Sequence, residues 1–133
     1  MYEKMSSLLP DTNIILKLFR GDEHVASNIS RFDKIVIPPT VIGEFKMGIE
    51  SDTRRGKTQR RQLDAFLDSE YVEIVPVTEA TTDFYAAIYH ELKAKGKPIP
   101  TNDMWIAASA IEHHAVLYSL DGHFQQIPML RRL

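Results

Sequence analysis

Strand-like and helix-like segments alternate along this chain, which predicts an α/β fold with a mostly parallel sheet covered on both faces. Three observations carry that expectation. Short aliphatic runs, "SSLLP", "KIVIPP", "VEIVPV" and "AVLYSL", recur between longer stretches with helical periodicity. The 133 residues, 44% hydrophobic and 26% charged, suit one domain over residues 1–133 with a single core. No repeat, low-complexity tract or interior linker divides the chain.

Taken in order, "SSLLP" reads as a buried strand and "TNIILKLFR" as a helix with Ile14, Ile15, Leu18 and Phe19 on one face. Gly21 punctuates before a second helix, "DEHVASNISRF". "KIVIPP" is a β-branched strand stopped by two prolines, and "TVIGEFKMGIES" a helix capped by Thr40. "RRGKTQRRQLDAFLDSEY" is a basic helix and "VEIVPV" the third strand. Thr78 opens and Gly96 closes a long helix, "TEATTDFYAAIYHELKAKG". After the loop "KPIPTN", "DMWIAASAIEHH" is helical, with Met104, Ala107, Ala108 and Ile111 on one face. "AVLYSL" is the fourth strand, and "FQQIPML" is expected to hold a short edge strand.

Composition excludes several classes. No apolar run approaches the roughly 18 residues of a membrane span. The opening "MYEKMSSLLP" lacks the basic-then-apolar order of a signal peptide, so a cytoplasmic location is expected. Without cysteine there is neither a disulfide framework nor a thiolate metal site. A net charge of −2 advertises no nucleic acid, although a local basic stripe is compatible with it.

Acids fall at telling places. In an open α/β sheet, sites form outside the carboxyl ends of the strands. Asp11 follows the first strand, Glu44 lies early in the helix after the second, Asp103 opens the last long helix, and Asp121 follows the fourth strand. Each has a structural alternative: Asp11 as a helix cap, Asp103 at a helix dipole, Glu44 as a solvated residue, Asp121-Gly122 as a turn. Four such coincidences at one sheet edge are a less economical account than one site. Two carboxylates about 5 Å apart repel by roughly 3 kcal/mol at an effective dielectric near 20. Such a cluster must protonate, hydrate or bind a cation. Oxygen ligands without cysteine point to Mg²⁺ or Mn²⁺, and thence to phosphoryl chemistry.

"DTNIILKL" at 11–18, "EFKMG" at 44–48, "DMWIAASA" at 103–110 and "SLDGHF" at 119–124 resemble the PIN-domain ribonucleases, and most of all the VapC-type toxins of toxin–antitoxin pairs. The resemblance spans nearly the whole chain in the family's order. It implies a three-layer α/β/α sandwich and a Mg²⁺- or Mn²⁺-dependent endoribonuclease. Asp11, Glu44, Asp103 and Asp121 would form its acidic quartet, with Asp11 and Asp103 as direct ligands and the other two binding directly or through water. Asn13 and Ser119 match polar positions that orient the acids, Ser119 standing where threonine is commoner. Gly48 would allow close packing one turn beyond Glu44. Pro10 departs from the usual apolar residue but sits at a strand end, where a missing N–H is tolerable. The implied reaction is in-line attack of metal-activated water on an RNA phosphodiester, leaving a 5′-phosphate and a 3′-hydroxyl. A cognate antitoxin lying in the active-site groove and a homodimer are the implied partners.

No histidine need act as the base. His113 and His114 point about 100° apart on a helix of 3.6 residues per turn and are poorly placed to chelate together. His123 lies nearer the acids, where contact with substrate or a partner is the less favoured reading. Arg54, Arg55, Lys57, Arg60 and Arg61 are candidate RNA-phosphate contacts, against the alternative of a solvated face. The terminal "LRRL" has the same two readings. "TNIILKLF" and "FYAAIYHELK" hold enough apolar residues to bury a partner, or to line the core. A signalling receiver domain shares the α/β pattern and Mg²⁺-binding acids, but it wants paired acids after the first strand, an aspartate after the third and a lysine after the last. None is present. Neither glycine-rich nucleotide motif occurs. An RNA-processing PIN nuclease without a toxin role, and a catalytically silent PIN domain that binds RNA or a partner, remain as alternatives.

Overall fold

The structure is a computed structural model that describes residues 5–133, with side chains from Ser7 onward. The first four residues of the stretch read for a targeting signal lie outside it. The described elements are β1 (Met5–Pro10), α1 (Thr12–Phe19), α2 (Glu23–Ile29), β2 (Phe32–Ile37), α3 (Pro39–Met47), α4 (Arg54–Leu67), β3 (Val72–Ile74), α5 (Glu79–Lys95), α6 (Thr101–Glu112) and β4 (Val116–Tyr118), followed by a short 3-10 helix (Gly122–Gln126). No helix among the described residues is long and apolar enough to cross a membrane.

All strands pair in parallel in the order β3-β2-β1-β4, so the sheet has the expected α/β architecture. The chain first builds outward from β1 through β2 to β3, and then returns to place β4 on the other side of β1. The connections therefore reverse direction between β1 and β4. A crevice opens at the carboxyl ends where connections depart to opposite sides.

Strand alternation sorts the core into two clusters. Leu9 and Leu117 enter the larger cluster, with Ile15, Phe45, Leu63, Ile88 and Ile106. Leu8, Val116 and Tyr118 enter the smaller one, with Ile14, Val25 and Phe32. The helix α1 serves both: Ile15 is buried in one and Ile14 in the other, while Leu18 packs on the smaller and Phe19 on the larger. The single apolar face expected for α1 is thus corrected. A helix lying between two packed layers buries more than one stripe. α6 also buries more than one stripe, Met104, Ile106, Ala107, Ala108, Ser109 and Ala110 all being buried, with its apolar residues in the larger cluster.

Other corrections have local causes. Thr40 does not cap α3, because the helix starts at Pro39 with Pro38 as N-cap. A proline at the first helical position has its φ preset and needs no N–H partner. "FQQIPML" forms no edge strand. Asp121 caps a 3-10 helix there, and Phe124 and Ile127 drop into the core. The outer edge of β4 is instead met by the chain's end: Leu117 N donates to Arg131 O at 2.8 Å and Leu133 N to Leu117 O at 2.9 Å. Arg131 also donates its guanidinium to the His114 carbonyl, so part of "LRRL" is engaged structurally. Thr78 and Gly96 bound α5 as expected, Gly96 taking the left-handed conformation at φ 64°.

The close-packing glycine is Gly56, not Gly48. A Cβ on Gly48 would make only ordinary contact, 3.6 Å from the Phe45 carbonyl. On Gly56 it would lie 1.9 Å from the Glu50 carbonyl oxygen. With Thr53 Oγ1 accepting from Gly56 N at 2.9 Å, this contact seats the first turn of α4 against the preceding loop.

Candidate active site

The crevice between β1 and β4 holds the acids. Asp11 leaves β1 with its N–H donating to Tyr118 O at 3.0 Å, the last bond that ties the two strand ends together. Its Oδ1 caps α1 by accepting from Ile14 N at 3.1 Å, and its Oδ2 accepts the Ser119 hydroxyl. Asp11 is therefore both a helix cap and a member of the cluster, and the two sequence readings do not compete. Ser119 Oγ in turn accepts from Asp121 N at 3.0 Å. One hydroxyl thus joins the carboxylate after β1 to the turn after β4.

Asp103 lies in the first turn of α6, whose N-cap is Pro100, where the helix dipole favours negative charge. It is only 8% exposed, as is Asp11. Glu44 projects from α3, with Oε2 accepting from Asn102 Nδ2 at 2.8 Å and Oε1 from Thr12 Oγ1 at 3.5 Å. Asp11, Glu44, Asp103 and Asp121 together line a cavity of about 170 Å³, with Thr12, Asn13 and Ile106. The structure therefore brings all four predicted acids and Asn13 to one cleft, with Ser119 behind Asp11.

Two neighbours lacked a signal strong enough to be chosen from sequence. Asn102 and Thr12 hold Glu44 from α6 and α1, and polar residues beside an acid are too common to stand out. His123 goes further than expected: its Nδ1 lies 2.8 Å from Asp103 Oδ2 and 3.1 Å from Asp121 Oδ1. These three residues present side-chain N and O atoms within 4.8 Å of one another, so an imidazole stands beside what composition suggested was an oxygen-only set. The histidines after α6 play no part: His113 Nε2 lies 3.5 Å from Glu112.

The electrostatics follow from burial. Desolvation pushes the Asp11 carboxyl above its ordinary range, the Ser119 and Ile14 hydrogen bonds offset part of this, and Asp121 and Asp103 add to the rise. Desolvation likewise raises Glu44, against the Asn102 hydrogen bond and together with the charges of Asp103 and Asp11. The hydrogen bond to Asp103 raises His123, with the charge of Asp121 assisting, so the imidazolium is favoured beside the two aspartates. Four carboxylates around one small cavity, with Asp11 and Glu44 resisting ionisation, are a donor set suited to a divalent cation, which would offset their charges.

A pH dependence follows. Groups whose folded pKa exceeds the unfolded value stabilise fully below the unfolded value, and that stability is lost as pH rises through the folded one. The windows open near 3.8 for Asp11, 4.5 for Glu44 and 6.5 for His123, and all three act in one direction. The metal-free protein is therefore expected to melt higher at about pH 5 than at about pH 8. Divalent cation added at the higher pH should narrow the gap. A melting temperature that rose across this interval would refute the electrostatic account.

The basic run is divided. Arg54 and Arg55 line a hollow of about 470 Å³ beside α1. Lys57, Arg60 and Arg61 line a separate one of about 290 Å³ with Ile49, Ser51 and Gly56. Arg60 is also paired with Asp64 one turn on, at 3.2 Å.

Known proteins resemble this chain in sequence and fold. The PIN domain family model matches residues 8–130. Ribonuclease VapC2 of Rickettsia felis is 30% identical over 125 residues, covering 90% of this chain and 91% of that protein. Ribonuclease VapC1 of the same organism is 30% identical over 118 residues, covering 86% and 84%. Among solved structures, a chain of the Rickettsia felis VapBC2 complex bound to a promoter DNA fragment superposes with a TM-score of 0.82 at 27% identity, covering 97% of this chain and 98% of that one. VapBC-1 from nontypeable Haemophilus influenzae shares the fold, with a TM-score of 0.79 at 24% identity, covering 97% of each chain. The parallel sheet, the acids gathered at its carboxyl edge and the match from Leu8 to Leu130 converge: the chain belongs to the PIN-domain family, among the VapC-type proteins.

Proposed function

We propose that this protein is a divalent-metal-dependent endoribonuclease, and the toxin of a toxin–antitoxin pair. The observation that carries the reading is the meeting of Asp11, Glu44, Asp103 and Asp121 around one 170 Å³ cavity at the sheet's carboxyl edge. Relatives named as VapC ribonucleases support the activity. Asp11 and Asp103 would hold Mg²⁺ or Mn²⁺ directly, and Glu44 and Asp121 directly or through water. The cation, when bound, lowers the pKa of water and offsets charge on the phosphate. Ser119 sets the rotamer of Asp11, Asn102 that of Glu44, and Asn13 lines the cavity mouth beside them. In the reaction a water oxygen bonds to phosphorus and releases a proton. The P–O3′ bond breaks, and the departing O3′ takes up a proton, leaving a 3′-hydroxyl and a 5′-phosphate.

Solved relatives that are VapBC complexes support an antitoxin partner. For a homodimer, α5 offers more than α1. The buried side chains of α1 serve the core, whereas Tyr89 on α5 is 45% exposed. A catalytically silent domain is disfavoured because every acid is in place. The test is cleavage of bulk cellular RNA by purified, antitoxin-free protein with Mn²⁺ or Mg²⁺, beside EDTA and Asp11→Asn controls. Discrete fragments that vanish in both controls are expected. Intact RNA under either metal, from folded protein, would make this a binding domain.

A further inference from the structure

We infer that the groove leading from Glu44 along α1 to the first turns of α4 carries the unpaired RNA strand, with Arg20 and Arg55 holding its phosphates. This rests on the ribonuclease reading above. A hollow of about 390 Å³ shares Thr12 and Glu44 with the acidic cavity and extends to Arg20 and Arg55. The 470 Å³ hollow that adjoins it shares Leu16, Arg20, Arg55 and Gln59, and adds Arg54. The path from acids to arginines is therefore continuous, whereas the hollow of Lys57, Arg60 and Arg61 shares no lining residue with the acidic cavity.

Charge and surface both suit a polyanion with exposed bases. Among the described residues Arg20, Arg54 and Arg55 make no ion pair, while Arg60 is already paired with Asp64. The wall also carries Glu50, so three arginines face one carboxylate beyond the catalytic acids. Guanidinium groups match phosphate oxygens bidentately. Leu16 and Phe19 give the groove an apolar surface against which unpaired bases can rest, and Gln59 and Gln62 supply hydrogen bonds. The α4 end of this wall is held in place by Gly56, whose missing Cβ lets the first turn of α4 lie on the Glu50 carbonyl. A strand whose scissile phosphate sits at the acids continues along this groove, so the arginines grip flanking phosphates rather than the reacting one.

The test measures binding of a fluorescein-labelled, unstructured RNA oligonucleotide by anisotropy across a salt series. It uses the Asp103→Asn background, which separates binding from cleavage. Each phosphate contact on a single strand contributes about 0.7 to the slope of log affinity against log salt, so Arg20→Gln with Arg55→Gln should lower that slope by about 1.4. Lys57→Gln, Arg60→Gln and Arg61→Gln together should leave it unchanged. The inference is overturned if the double variant keeps the slope or the triple variant loses it. It is equally overturned if the double variant keeps RNA but loses a poly-glutamate peptide, which would make the groove a peptide site. The expected slopes from a protein whose parent cleaves no RNA would overturn the ribonuclease reading and uphold the groove.

Discussion

Asp103→Asn is expected to abolish RNA cleavage while leaving the melting temperature of the metal-free protein unchanged or higher. Asparagine keeps the size of the side chain and an oxygen able to accept from His123, which lies 2.8 Å away. What disappears is a buried negative charge that raises the pKa of both Asp11 and Glu44. The change forfeits about 0.3–1 kcal/mol of favourable interaction with the α6 dipole. It relieves repulsions worth roughly 3 kcal/mol for each carboxylate pair about 5 Å apart. At a pH high enough that His123 is neutral and its ion pair with Asp103 is absent, relief outweighs the loss, so thermal melting in EDTA there should show no decrease. Added Mn²⁺ should stabilise the parent more than the variant, because the variant has lost a ligand. A drop of several degrees without metal would instead make Asp103 a structural cap, and retained cleavage would remove it from the site.

Ser119→Ala should weaken apparent metal affinity or activity about 10- to 100-fold, the usual cost of losing a group that orients a ligand. The hydroxyl donates to Asp11 and accepts from the Asp121 backbone at 3.0 Å, so its removal frees an Asp11 oxygen and releases the exposed Asp121 N–H to solvent. Asp11 is buried, and the lost hydrogen bond is one that lowers its pKa, so its ionised form becomes harder to maintain. Ser119→Thr retains the hydroxyl and should retain the activity. A metal titration of all three proteins separates this from general damage. Parallel losses in the alanine and threonine variants, or a normal metal requirement in the alanine variant, would refute the positioning role.

The four acids could be read from sequence because each stands at a boundary that local chemistry marks. Asp11 follows "SLLP", Asp121 precedes a glycine, Asp103 opens an alanine-rich helix, and Glu44 follows a strand closed by two prolines. The same boundaries misled where two signals competed. Thr40 is a good cap in isolation, yet Pro39 starts the helix earlier at no hydrogen-bonding cost. Gly48 and Gly56 look alike in sequence, and only the approach of the Glu50 carbonyl distinguishes them. "FQQIPML" carries strand-like residues, but the β4 edge where they would pair is met by the chain's last residues.

Sequence alone determined the α/β class, the helix boundaries at Asp11, Thr78 and Gly96, and which four acids would meet at the sheet's carboxyl edge. These rest on periodicity, capping and charge, which act over a few residues. The tertiary structure alone decided that β4 returns to pair with β1, opening the crevice at that junction. It also decided that Ser119 and His123 reach Asp11 and Asp103 across 108 and 20 residues of chain, and that the basic run divides between two hollows. The reason is common to all three. Strand order and helix orientation are set by burying both faces of one sheet at once, a condition on the whole chain that no short stretch contains.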